Sequence, residues 1–190
     1  PEKYDKIQRV VTKGLEDRGI RVLGMIPLNQ ELTFPTVGAL IDELKPKVLS
    51  GKRGLKNSVE KFMIGDKSAH YALDTFTRNT LIIVPGNRED LILTALCENM
   101  LRTKGPRMVS GIIFTDGIEP NKKILELLGK TRIPLLLVEE DAFTIATKIN
   151  HIIFKIRSED LSKIHIAEKI VEMVPSIDEK TCCLFGNAVR

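Results

Sequence analysis

Between Leu81 and Pro120 the chain spells out strand, turn, helix, strand and turn, an order that leaves few folds open. Leu81-Ile-Ile-Val84 is an unbroken apolar run closed by Pro85-Gly86. A short run of this kind between turn residues suits a strand covered on both faces. Asn87 is a good N-cap, and Glu89 and Asp90 put negative charge in the first helical turn, where the helix dipole favours it. Leu91, Ile92, Ala95, Leu96 and Met100 then recur at helical spacing. Ile112 to Phe114 is a second apolar run, ended by Thr115-Asp116-Gly117. The unit is β-α-β, which predicts parallel strands joined by a right-handed crossover.

The flanking chain repeats the pattern. Pro1 to Arg18 suits an amphipathic helix with Tyr4, Ile7, Val10, Val11 and Leu15 on one face, ended by Gly19. Arg21 to Pro27 reads as a buried strand, which would need a neighbouring strand. Thr36 caps a short helix to Leu44, Lys47 to Leu49 is a short strand, and Ser50 to Asn57 is a Gly- and Lys-rich, hairpin-like surface loop. Val59 to Ile64 is another strand. Gly65-Asp66 turns the chain, and Asp66 or Ser68 caps a helix to about Phe76. After Pro120 come a helix over Asn121 to Leu128, a buried strand over Pro134 to Val138, and a helix from Ala142 to about Ile152. Glu139-Glu140-Asp141 stand at the head of that helix. Ser158 caps a last helix, Pro175 stops it, and residues 176–190 carry no regular signal. Five strand candidates alternating with helices predict an α/β layered domain with a mainly parallel sheet. The expected domains are residues 35–152, preceded by a segment 1–34 and followed by a helix and irregular tail, 153–190.

Composition narrows the function. The 190 residues are 43% apolar and 28% charged, with 5% aromatic and no Trp, a soluble globular profile packed by aliphatic side chains. The net charge of +4 sits entirely in residues 1–58, with 11 Lys/Arg against 7 Asp/Glu, whereas the remainder balances at 18 and 18. No stretch mixes clustered cations with aromatic residues, so nucleic acid is not an expected partner. No apolar run approaches membrane-spanning length, so no membrane partner is expected. The opening residues show no signal-peptide pattern. Three cysteines, Cys97 and the adjacent Cys182 and Cys183, make no disulfide framework. A reducing, cytoplasmic compartment is expected, with Cys97 a small buried hydrophobe.

Three turns follow buried strands: Gly65 to His70, Pro85 to Asp90, and Thr115 to Glu119. In a parallel sheet the carboxyl ends of the strands share one edge, where ligands bind, so these turns should converge as walls of one cleft. The candidate ligand-binding residues are Gly65, Asp66, Ser68, His70, Pro85, Gly86, Asn87, Arg88, Asp90, Thr115, Asp116, Gly117 and Glu119. The Pro85 turn offers amide groups at a helix start with Arg88 beside them, an anion site. Taken singly, each turn is also what Gly and a capping residue do in any protein, and Arg88 is equally a surface cation paired with Asp116 or Glu119. Asp116 would repel an anion at its own turn. Asp66 and His70 are one helical turn apart, but no His or Cys set has zinc-site spacing. No Gly-x-Ser-x-Gly elbow and no Gly-x4-Gly-Lys-Ser/Thr phosphate loop occurs. No catalytic residue, metal or cofactor is therefore assigned.

Asn87-Arg88 after one strand and Thr115-Asp116-Gly117 after the next resemble the Asp-Arg and Thr-Gly-Gly signatures of DRTGG domains, with departures at positions 87 and 116. The context Pro85-Gly86-x-Arg88-Glu89-Asp90-Leu91-Ile92-Leu93 and Gly117-x-Glu119-Pro120 fits that family. The likeness covers about Thr36 to Ile149. It implies a fold similar to the N-terminal domain of the bacterial HPr kinase. Residues 1–34 resemble the end of the dethiobiotin-synthetase-like P-loop domain that precedes this module in phosphotransacetylase-related proteins. A chain opening on Pro1 fits a segment of such a longer protein. The resemblance implies a non-catalytic regulatory module. Such a module would bind a small anionic metabolite or nucleotide, self-associate as a homodimer, or both, with an upstream P-loop domain in the same polypeptide. The rivals are an ATP-dependent enzyme fragment, inactive alone, and a purely structural module that dimerises through its last helix or a strand edge.

Overall fold

A computed structural model describes residues 2–22, 24–26, 28–101, 108–152, 154–158 and 160–172. Thr33–Lys155 forms one compact unit, and the described residues outside it form a second.

The larger unit holds a five-stranded sheet. Its strands are β1 (Lys47–Ser50), β2 (Lys61–Ile64), β3 (Thr80–Pro85), β4 (Val109–Thr115) and β5 (Leu135–Leu137), in the order β1-β5-β4-β3-β2. β2 to β5 are mutually parallel, and β1 runs antiparallel at one edge. The central pair is in register, Ile82 with Ile112 and Ile83 with Ile113. Both strands are buried on both faces except at Pro85, which explains why the runs at Leu81 and Ile112 carry no polar alternation.

From β2 to β5 the strand order advances in one direction. Crossovers of one hand then place successive helices on one face. α4 (Ala69–Thr75), α5 (Glu89–Leu101) and α6 (Lys122–Gly129) accordingly share a core with Ile82, Val84, Ile112 and Phe114. α3 (Val37–Leu44) and α7 (Ala142–His151) cover the other face, over Leu81, Ile83, Ile113 and Leu136. The caps follow the sequence. Thr36 accepts from the Ala39 amide, Asn121 from that of Lys123 and Asp141 from that of Thr144.

Several expectations are corrected. Ser50 to Asn57 is no hairpin, because β1 and β2 lie at opposite edges of the sheet. The segment makes a 3-10 turn, Lys52–Gly54, instead. Cys97 and Met100 are exposed: Cys97, 100° on from Leu96, faces away from the stripe through Leu91, Ile92, Ala95 and Leu96, whereas Met100 continues that stripe but stands in the last turn of the helix. Arg21, Val22 and Gly24 to Ile26 form no strand, and the sheet takes none from them; Leu23 and Pro27 lie outside the described residues.

In the second unit, α1 (Glu2–Glu16) ends where the Gly19 and Ile20 amides bond back to the carbonyls of Glu16 and Leu15. Gly19 takes the left-handed conformation that such an ending requires. Ile7, Val10 and Val11 on its apolar face are exposed. A short helix, α2 (Gln30–Thr33), follows. α8 runs from Leu161 to Glu172. Asp160 takes the capping place expected of Ser158: its carbonyl accepts from Lys163 and Ile164, and its carboxylate from the Arg157 amide. Val174, Pro175, the 176–190 tail, Cys182 and Cys183 lie outside the described residues.

Candidate functional site

The four parallel strands bring their following loops to one edge of the sheet. After β2, the Gly65 amide bonds to the carbonyl of Ile83, and the chain turns through Asp66 and Lys67. Ser68 precedes α4 in extended conformation but makes no side-chain cap. After β3, the Leu91 and Ile92 amides both bond to the carbonyl of Arg88. Arg88 therefore opens α5, and Asn87, expected as the cap, lies exposed in the turn.

After β4, Asp116 and Gly117 both take positive φ, 60° and 62°, and the Ile118 amide closes onto the Thr115 carbonyl at 3.1 Å. Two successive left-handed residues inside such a bond make a type I′ turn. Glycine satisfies that geometry at no cost, and Asp is among the few other residues that tolerate it. The Asp116 carboxylate is held by the Thr115 hydroxyl at 2.7 Å.

Arg88 is the most heavily bonded side chain of this edge. Its Nη1 donates to the carbonyl of Gly65 at 2.6 Å and its Nη2 to that of Lys67 at 2.7 Å. Its Nε and Nη2 also grip the two carboxylate oxygens of Asp90, at 3.0 and 3.1 Å. The expected partners, Asp116 and Glu119, lie elsewhere: Glu119 binds Lys47 at 2.8 Å. The hydrogen bond from Arg88 is the chief reason the Asp90 carboxyl titrates below its ordinary range, helped by amides at the start of α5. The Arg88 guanidinium is raised in turn, chiefly by Asp90. The positive start of α5 thus already has an anion, the chain's own carboxylate. A bound anion there would compete with Asp90.

The loops join side by side along the edge. Gly86 donates to the Ile118 carbonyl and packs so closely that a Cβ would lie 2.2 Å from that oxygen. Asp116 and Gly117 donate to the carbonyls of Glu140 and Val138 in the loop after β5. A cavity of about 340 Å³ opens at the β2 end of this row. It takes Gly65 and Asp66 from the candidate residues and adds Phe62, Ile64, Lys67 and Leu91. Asn87, Arg88, Asp90, Thr115, Asp116, Gly117 and Glu119 do not line it. Phe62 and Ile64 escaped the sequence reading because nothing in an apolar run marks which strand is the outermost. His70 is exposed and stacks edge-to-face on Tyr71, with ring centres 5.5 Å apart. Among the described residues no group of three or more His, Cys, Asp or Glu could hold a metal ion.

Comparison with known proteins places residues 39–152, more than half of the chain, in a match to the DRTGG domain. A phosphate acetyltransferase of Nitratidesulfovibrio vulgaris is 30% identical over 151 residues, which span 78% of this chain and 21% of that protein. A phosphate acetyltransferase of Pseudomonas putida is 26% identical over 165 residues, 85% of this chain and 23% of that one. The Bacillus subtilis protein YtoI, itself uncharacterized, is 27% identical over 80% of this chain and 33% of its own length. The chain therefore spans about a fifth of the length of the phosphate acetyltransferases it matches. Among solved structures, the CBS and DRTGG domains of the regulatory region of Clostridium perfringens pyrophosphatase, complexed with the activator diadenosine tetraphosphate, align over 92% of this chain and 88% of that one. The TM-score is 0.49 and the identity 15%.

Proposed function

Because the chain belongs to the DRTGG domain family, we propose that it is a regulatory module that senses a small anionic metabolite or nucleotide at its strand-end edge. The observation that supports this reading most is the Arg88 fork. One side chain holds the β2 loop, through Gly65 and Lys67, and the start of α5, through Asp90, beside an open cavity. A ligand whose anionic group displaced the Asp90 carboxylate would change what Arg88 holds. It would thereby move the Gly65–Ser68 loop, and a module can report such a movement to an attached domain. Lys67 would meet the anion, and Phe62 and Ile64 the apolar body of the ligand.

The reading extends to the longer protein. The attached domain would be a phosphotransacetylase-type acyltransferase, with a dethiobiotin-synthetase-like P-loop domain upstream of the module. A Gly-x4-Gly-Lys-Ser/Thr before Pro1 would be its mark. Self-association as a homodimer and a cytoplasmic location complete the proposal. Among the described residues no helix is long and apolar enough to cross a membrane.

The test is a thermal-shift and calorimetric screen of nucleotides, acetyl-CoA, acetyl phosphate and central metabolites, on wild type and on Lys67→Ala. One ligand is expected to raise the melting temperature in a concentration-dependent way, with the shift reduced at least severalfold in Lys67→Ala. No shift across the panel, or a shift that Lys67→Ala leaves intact, would overturn the reading.

A further inference from the structure

β2 closes the parallel side of the sheet and pairs with β3 alone. The cavity of about 340 Å³ follows this free edge, because residues 62–67 all line it, together with Ala72 of α4 and Leu91 of α5. Side chains alone do not arrange that. Met63 packs into the core shared with α4, α5 and α6, whereas Phe62 and Ile64 pack against the core on the other face. Neighbours on opposite faces meet in one cavity only along the backbone edge of their strand. The direction of that backbone follows from its bonds. The Gly65 amide bonds across to the Ile83 carbonyl. Alternation along a parallel strand turns the main-chain groups of Met63 the same way and those of Phe62 and Ile64 off the sheet. The Ile64 carbonyl is met by the Asp66 amide. The Phe62 N–H and C=O and the Ile64 N–H have no partner among the described residues.

We propose that these main-chain groups read the edge of an amino-substituted base, so that the ligand of the cavity is an adenine mononucleotide. The inference rests on the ligand-sensing reading above and narrows it to one class. A backbone edge covered by a ligand must have its donors and acceptors satisfied. A partner strand would satisfy them, but β2 is only Lys61–Ile64 and its Ile64 carbonyl is already used, which leaves too short a row for a ladder. A flat heterocycle does the same with one rigid edge. The adenine amino group donates to the Phe62 carbonyl, and the adjacent ring nitrogen accepts from the Ile64 amide. Met63, Ala72 and Leu91 supply apolar surface for the ring. Lys67, further along the same wall, meets the phosphate. Asp66 beside it repels a bare anion such as acetyl phosphate and accepts instead from ribose hydroxyls, a role that carboxylates fill in other nucleotide sites. A volume near the lower end for ligand pockets suits one nucleotide rather than a dinucleotide.

Calorimetric titration with adenosine monophosphate and inosine monophosphate, joined to amide hydrogen exchange, tests this. The two nucleotides differ at one edge of the base. There an amino donor becomes an oxo acceptor, and the neighbouring ring acceptor becomes a donor. The adenine nucleotide is expected to bind more tightly by about tenfold or more, because the oxo base leaves the strand edge mispaired. Lys67→Ala, at an exposed position, should weaken both nucleotides by a similar factor and leave their ratio unchanged. Exchange at the Ile64 amide should slow with the adenine nucleotide and not with the inosine one. Equal binding of the two, or a bound adenine nucleotide that leaves the Ile64 amide exchanging freely, would overturn the base-reading edge while leaving the sensing reading standing. A Lys67-dependent response to acetyl phosphate with none to adenosine monophosphate would do the same. No Lys67-dependent ligand anywhere in the panel would overturn both.

Discussion

Arg88 shows how much one side chain can decide. Its planar fork satisfies two carbonyls of a neighbouring loop and both oxygens of Asp90, a pattern that a point charge cannot reproduce. Arg88→Ala is expected to lower stability by about 1–3 kcal/mol, because two loop carbonyls and a carboxylate lose their partner. Arg88→Lys should recover less than half of the loss. Urea unfolding measures the total, and amide exchange should speed up around Gly65–Lys67.

The pH dependence has a definite sign. Asp90 has its pKa lowered by folding, so its contribution is complete above the unfolded value and is lost as pH falls through the lower folded value. The gap in urea midpoint between wild type and Arg88→Ala should therefore be widest near neutrality and begin to narrow below about pH 4, down to the part that the Gly65 and Lys67 carbonyls contribute. A gap of constant width would mean that the Asp90 pair contributes nothing. Sequence alone pointed to Arg88 as the side chain of interest but not to its partners. Asp90 is two residues away and Gly65 twenty-three, and only the folded sheet brings the second within reach.

At the scale of the element, the helices were readable because their ends obey local chemistry. Thr36, Asn121 and Asp141 each accept an amide hydrogen bond from the first turn that they head. Thr36→Ala should cost about 1 kcal/mol, seen as a lower urea midpoint with an unchanged slope. The misplaced caps, Asn87 and Ser158, have a common cause. In each case a capping residue stands in the turn just before the helix, and the helix opens one or two residues later, at Arg88 and Asp160, where the backbone bonds begin. The 3-10 turn at Lys52–Gly54 escaped notice for another reason. A Gly-rich stretch between two strands suggests a hairpin, whereas these strands belong to opposite edges of the sheet.

For the whole molecule, the central strands carry the stability. Phe114 is fully buried between β4 and the α4–α6 layer. Phe114→Ala should destabilise by about 3–5 kcal/mol, enough to leave much of the protein unfolded at growth temperature and easily seen as a lost calorimetric transition. The alternation of apolar runs, turn residues and amphipathic stretches was enough to specify an α/β layered fold with a mainly parallel sheet, because strand burial and helix periodicity are local properties of the chain. Strand order was not local. Nothing within Lys61–Ile64 or Lys47–Ser50 says that one closes the parallel edge and the other runs antiparallel at the opposite edge. The same limit applied to the loops after the strands. Their residue types were legible one by one, including the Asp116-Gly117 pair that the left-handed turn demands. Their arrangement in a row, with Arg88 tying the first two and the cavity at the β2 end, arises only when distant strands pair and carry the loops to a shared edge.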